Sequence, residues 1–303
     1  MGIKYSQEPV LNNPVLIASW PGIGNIGVIA VDTFRTVVGA VELAEIEPWD
    51  FFYPKKLTIE NGELVDLEFP SSKFYYKKTE ARDLMFFIGE DQPSEGGTIY
   101  AGGSKAYQLA NLVIDVAVRF GCRRVYTSGA AVSAIHHAAR SRVWAVPGNT
   151  ELIAEVRSYR NTVLMSDVEG RRGQGNIIGL NGLLLGVAKK RGLEAICLMG
   201  EVPAYLQGFP LPYPKAARSV LEVLAVALGL DIEMGGLEAF VDHSEREIER
   251  LYERFPLEIR EQIERLRPAA QSRRADLGPI TEEDQRRILD DIDRFFKGGP
   301  KED

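Results

Sequence analysis

The sequence predicts an α/β fold, an α/β/α sandwich around a mainly parallel sheet with one inserted β-hairpin. Three observations carry this. Continuous apolar runs such as Leu84-Met85-Phe86-Phe87-Ile88 and Ala195-Ile196-Cys197-Leu198-Met199 have the character of strands covered on both faces. Segments with apolar residues at helical spacing alternate with them, the signature of strand–helix crossovers. The first apolar run, Val15-Leu16-Ile17, passes into a helix through a glycine turn, Pro21-Gly22-Ile23-Gly24-Asn25-Ile26-Gly27. Glycine permits positive φ or close backbone approach there, and Pro21 fixes the start of the turn.

The elements follow in order. A helix over about Asn25 to Val38 precedes a strand at Val41–Ile46. Leu57 to Leu67 alternates apolar and polar residues about Asn61-Gly62, the preferred two-residue hairpin turn. Phe74-Tyr75-Tyr76 and Asp83–Gly89 read as strands, and Tyr100 to Phe120 as a helix. Arg124–Ser128 is the next strand, closing at Gly129-Ala130. Val143–Val146 and Glu151-Leu152-Ile153 are expected as short strands. Gly173 to Gly182 opens a helix that runs to Lys190 and stops at Gly192. A strand at Ala195–Gly200 and a proline-rich loop lead to a helix over Lys215–Leu228.

From about Gly235 the composition changes, dividing a core domain, 1–234, from a helical extension, 235–303. Ile248, Leu251, Tyr252 and Phe255 share one helix face. Pro268 to Pro279 reads as a linker, and Thr281-Glu282-Glu283-Asp284 as the cap of a last helix carrying Ile288, Ile292, Phe295 and Phe296. These stripes must dock on their own domain or on another subunit.

Composition bounds the function. With 36 basic and 43 acidic residues the net charge is −7, which leaves no electrostatic footprint for nucleic acid or an anionic membrane. No run approaches a membrane span, and the N-terminus lacks the apolar core of a signal peptide. Cys122 and Cys197 read as buried thiols of a cytoplasmic protein.

Little catalytic chemistry is visible. Gly22-x-Gly24-x-x-Gly27 matches the dinucleotide fingerprint, with Glu45 or Glu47 as the ribose acid. Pro48-Trp49-Asp50, Pro54 and a hairpin then follow where further crossovers should come, so the turn reads as structural or as an interface, and no cofactor is expected. The three histidines are His136, His137 and His243, and neighbours on a helix cannot share one metal, so no metal site is expected. Ser128 and Ser133 with His136 could form a nucleophile and base at a strand end, or simply end a strand beside a half-exposed helix. Glu90 and Asp91 could pair as carboxylates or cap the following loop. Arg171-Arg172 beside Gly173 and Gly175 could hold an anion or be solvated. Trp20, Trp49, Phe51, Phe52 and Tyr53 belong to the core or to a protein interface.

Several ordered turns together resemble the proteasome assembly chaperone 2 family, in its archaeal and bacterial branch. They are Pro21 to Gly27, Gly89-Glu90-Asp91-Gln92-Pro93, Gly175 to Leu184, Gly200-Glu201-Val202-Pro203-Ala204-Tyr205 and Tyr213-Pro214-Lys215-Ala216-Ala217. The resemblance covers about residues 10 to 230. It implies a three-layer sandwich like the nucleoside phosphorylases, a homo-oligomer (trimer or tetramer), no established enzymatic activity, and proteasome α subunits as partners. Relatives that dock between α subunits use a hydrophobic-Tyr-x tail. The sequence here closes on Gly298-Gly299-Pro300-Lys301-Glu302-Asp303, so tail docking is not expected.

Two functions follow as expectations. The first is a non-catalytic assembly-chaperone-like protein or scaffold. The second is an enzyme or small-molecule binder, of a nucleotide or nucleoside kind, using a pocket at the strand ends. The candidate ligand- or partner-binding residues are Trp20, Gly22, Gly24, Asn25, Glu90, Gln92, Gly129, Gly175 and Asn181.

Overall fold

The computed structural model describes residues 2–94, 102–167 and 176–267. In chain order the first half contains β1 (Ile3–Tyr5), β2 (Val15–Ser19), α1 (Ile26–Val37), β3 (Val41–Ile46), β4 (Lys56–Glu60), β5 (Glu63–Glu68), β6 (Ser72–Lys77), β7 (Leu84–Gly89) and α2 (Gly103–Arg119). The second half contains β8 (Arg124–Ser133), β9 (Val143–Pro147), α3 (Ile153–Ser158), β10 (Thr162–Leu164), α4 (Leu180–Lys190), β11 (Glu194–Pro203), α5 (Pro214–Leu228), α6 (Gly235–Glu253) and α7 (Leu257–Glu264).

The main sheet has the order β1-β3-β6-β7-β2-β8-β11-β9-β10. Its centre, β7-β2-β8-β11, is parallel, as the apolar runs require. The flanks correct the expectation of a mainly parallel sheet. The pairs β1–β3, β3–β6, β6–β7 and β11–β9 are antiparallel. The short edge strands β1 and β10 escaped the sequence because three residues show no usable periodicity.

Alternation along the central strands splits the core in two. Ile17, Phe86 and Ile196 face a layer holding Phe34 of α1, Val220 and Leu224 of α5, Val241 and Ile248 of α6 and Ile263 of α7. Leu16, Phe87 and Cys197 face the opposite layer, with Leu109 and Val113 of α2 and Leu184 of α4. That is three layers, with the apolar stripes of α6 and α7 packed into the first. Cys122 and Cys197 are free and buried, and burial pushes their thiols up to about 12 and about 11.

Three boundaries differ from expectation. Glu151-Leu152-Ile153 is not a strand. A 3-10 turn over Thr150–Leu152 runs into α3, because Asn149 caps it by accepting the Leu152 N–H at 3.1 Å. β8 continues through Gly129 and Ala130 to Ser133, since β11 stays in register with it as far as Pro203. α4 begins only at Leu180, because Gly179 takes φ +84 before it. Tyr100, Gly173, Gly175, the Arg171-Arg172 pair, the linker from Pro268 and the helix expected after Thr281 lie outside the described residues.

Candidate functional site

The glycine turn after β2 is held from three sides. A 3-10 turn over Ile23–Asn25 places Gly24 at φ +62 and Asn25 at φ +49, both left-handed. The Tyr213 N–H donates to the Gly24 carbonyl at 2.8 Å, and a Cβ on Gly24 would lie 2.9 Å from that of Tyr213. A Cβ on Gly27 would lie 2.4 Å from Ser19 Oγ and 2.6 Å from the Ser128 carbonyl, so α1 rests directly on β2 and β8. Gly22 has φ −165 and open space around it.

Two carboxamides close the structure. Asn181, on the first turn of α4, accepts from the Trp20 N–H at 3.2 Å and donates to the Trp20 carbonyl at 3.4 Å. Gln92 donates to the Pro21 carbonyl at 2.5 Å and accepts from the Leu180 N–H at 2.8 Å. The Trp20 ring is buried against Phe87, centroids 4.8 Å apart, over Gly89, where a Cβ would fall 2.3 Å from the indole.

Beside this clasp lies a cavity of about 360 Å³ at the C-terminal ends of β2, β8 and β11, where open α/β sheets take ligands. Of the candidate residues, Gly22, Gln92, Gly129 and Asn181 border it. Trp20 sits behind it as the clasped residue. Gly24 and Asn25 face Tyr213 and solvent instead. Glu90 turns to the hairpin: it accepts from the Ser71 N–H at 3.0 Å and pairs with Lys55 at 2.9 Å, and both bonds hold its carboxyl below the usual range. Gly175 is outside the described residues.

The sequence did not point to Trp144, Met165, Met199 or Gln207, which also border the cavity. Met199 ends the apolar run of β11, and its position one residue before Gly200 was the available signal. Among the described residues, no charged side chain lines it. Two backbone amides near it are already used, Asn25 N–H on the Gly22 carbonyl at 2.9 Å and Leu180 N–H on Gln92.

His136 and His137 are not on a half-exposed helix. His136 and His137 lie in the loop after β8, buried, with ring centroids 4.1 Å apart. His137 Nδ1 and the Tyr205 hydroxyl are 2.6 Å apart, and His137 Nε2 is 3.0 Å from Glu249 of α6. The Glu249 carboxylate only accepts, which places the proton of the neutral ring on Nε2 and makes the Tyr205 hydroxyl, itself accepting from the His137 N–H, the donor to Nδ1. Lys215 donates to the His137 carbonyl and pairs with Glu245, both at 2.8 Å. This network ties α6 to the sheet. Ser128 Oγ donates to the Leu198 carbonyl and His136 Nδ1 accepts from the Ala138 N–H, so each is committed to a backbone partner. Among the described residues there is no group of three metal-ligating side chains, and no helix is long and apolar enough to cross a membrane.

Fold and site define an α/β/α protein whose glycine turns are braced by carboxamides at the ends of a parallel sheet centre. The chain belongs to the PAC2 family, whose model matches residues 16–252. An uncharacterized protein of Methanocaldococcus jannaschii is 28% identical over 282 residues, covering 93% of this chain and 94% of that one. The crystal structure of Pyrococcus furiosus PbaB, an archaeal proteasome activator, is 26% identical, with a TM-score of 0.68, covering 82% of this chain and 98% of that one. A Mycobacterium tuberculosis proteasome-assembly chaperone homologue shares the fold at 18% identity and a TM-score of 0.60, covering 78% of this chain and 94% of that one.

Proposed function

We propose that this chain is a non-catalytic, oligomeric assembly-chaperone-like protein that acts on proteasome α subunits in the cytoplasm. The observation that carries the reading is the likeness to the archaeal proteasome activator, which extends over 98% of that chain within a shared family. The site's chemistry supports it: Gln92, Asn181 and Glu90 are engaged in holding loops together. In this reading the braced sheet end and the extension from Gly235 present the partner surfaces. The test is affinity capture of the tagged full chain from its native lysate with mass spectrometry. Stoichiometric proteasome α subunits support the reading, and their absence from a chain that captures only itself overturns it.

The cavity beside Gly22 and Asn181 favours a second reading, a small-molecule binder. A ligand at 100 times its dissociation constant adds about 2.7 kcal/mol of stability, a readable rise in Tm. A panel of nucleosides, nucleotides and dinucleotides decides it. A compound that raises the Tm supports it, and no shift across the panel removes this reading.

A further inference from the structure

Among the described residues, the hairpin β4–β5 pairs only with itself. It forms a two-stranded sheet, an arrangement of marginal stability in water without further strands or a covering layer. Its register places Leu57 opposite Leu67 and Ile59 opposite Leu64, so these four aliphatic side chains share one face. Lys56 opposite Glu68, Thr58 opposite Asp66 and Glu60 opposite Glu63 share the other. Leu57, Ile59 and Leu64 are 58%, 68% and 56% exposed and Leu67 is only half-buried, so an amphipathic pattern that calls for burial is left mostly uncovered among the described residues.

The two free edges differ in what they can pair with. Antiparallel to a second copy of itself and centred on Thr58, β4 sets Lys56 against Glu60, Leu57 against Ile59 and Thr58 against Thr58. Opposite charges, aliphatic pairs and threonine pairs are all favourable directly across an antiparallel ladder. The same operation on β5 sets Glu63 against Glu68 and Val65 against Asp66, which like-charge repulsion opposes. We infer that β4 is a two-fold contact edge between copies of this chain, giving a continuous sheet β5-β4-β4-β5. The inference deepens the oligomeric reading above and rests on it. The charge pattern selects a second copy as the occupant, because each β4 supplies the complement of its own sequence in reverse. The joined sheet brings eight aliphatic side chains to one face across the two-fold axis.

The test is sedimentation velocity of the full-length protein at micromolar concentration. Lys56→Glu sets two glutamates opposite each other and Glu60→Lys two lysines. Each should weaken the contact about tenfold in dissociation constant, and the double variant K56E/E60K should restore it. Lys56, Thr58 and Glu60 are on a hairpin away from both core layers, so the variants fold as the parent does. A second measurement uses Thr58→Cys, which puts a thiol on the two-fold axis. Opposed Cα atoms about 4.5–5.5 Å apart are within disulfide reach. Copper phenanthroline should therefore cross-link Thr58→Cys into a covalent dimer and leave Glu60→Cys, about 14 Å from its symmetry mate, uncross-linked. An oligomer that ignores the charge variants and does not cross-link at position 58 overturns the β4 edge while leaving the oligomeric reading intact. A wild-type chain that stays monomeric overturns both.

Discussion

Asn181 clasps the peptide group of Trp20, 161 residues earlier, accepting its N–H and donating to its carbonyl. The contact joins the start of α4 to the end of β2 and so fixes the rim of the cavity. Asn181→Ala strands the buried Trp20 N–H and leaves its carbonyl only the 3.3 Å bond from Ser19 Oγ, which costs about 1–3 kcal/mol. Urea denaturation should show a lowered midpoint at unchanged m-value. A midpoint equal to wild type would mean that water replaces the carboxamide.

The glycine fingerprint separates under substitution. Gly27→Ala forces a Cβ to 2.4 Å from Ser19 Oγ and into the Ser128 carbonyl, an overpacking cost of about 1–3 kcal/mol or more. Gly24→Ala adds left-handed strain at φ +62 to the Tyr213 clash. Gly22→Ala meets nothing within 4 Å and should change stability by less than about 0.5 kcal/mol. Thermal melts of the three variants check this order. A dinucleotide site would instead require a tightly constrained first glycine.

Much of the fold was legible because its centre is fully buried. β2, β7 and β11 announce themselves as apolar runs, and Asn61-Gly62 takes the positive φ values of 52 and 86 that its hairpin turn demands. The flanks were harder. Whether β6 runs parallel or antiparallel to β7 depends on chain reversal between Lys77 and Leu84, which periodicity does not encode. Of the site, the glycines and Gln92 were visible as turn residues. The role of Glu90 was not, because its partner Lys55 comes from the hairpin 35 residues away. Met165 and Trp144 were missed for a related reason: a cavity wall is defined by what lies across it.

Acid should destabilise the protein through the buried histidines. Burial first, then His137 and Arg267, lower His136 to about 4, against the attraction of Glu264, and burial lowers His137 against Glu249. The unfolded imidazole titrates near about 6.5, so below that pH the unfolded chain binds protons the folded one refuses. Stability is level above about pH 7 and falls as the pH drops from about 6.5 towards about 4, by up to about 1.4 kcal/mol per pH unit for each proton. Tm measured from about pH 7.5 to about pH 5 checks this, and His136→Leu should flatten the slope even if it shifts the whole curve.

Glu201 is wholly buried on β11, bonded by Arg142 through Nε and a terminal nitrogen at 3.0 and 2.8 Å and by the Trp144 indole N–H at 2.8 Å. Burial raises its pKa, but the Arg142 and Trp144 bonds outweigh that and hold it below the usual carboxylate range. Arg142→Ala leaves the carboxylate buried with two neutral donors, the Trp144 indole and the backbone N–H of residue 142 at 3.2 Å, and no countercharge, a loss of about 3–5 kcal/mol. The double variant R142A/E201L should recover part of it, which a double-mutant cycle reads directly.

The proposed engagement of proteasome α subunits is measured most directly by sedimentation velocity of the purified full chain mixed with purified α subunits from the same organism. A new, faster boundary containing both proteins in a fixed ratio is the expected result. Two boundaries, each at the position of its separate component throughout the micromolar range, would contradict it.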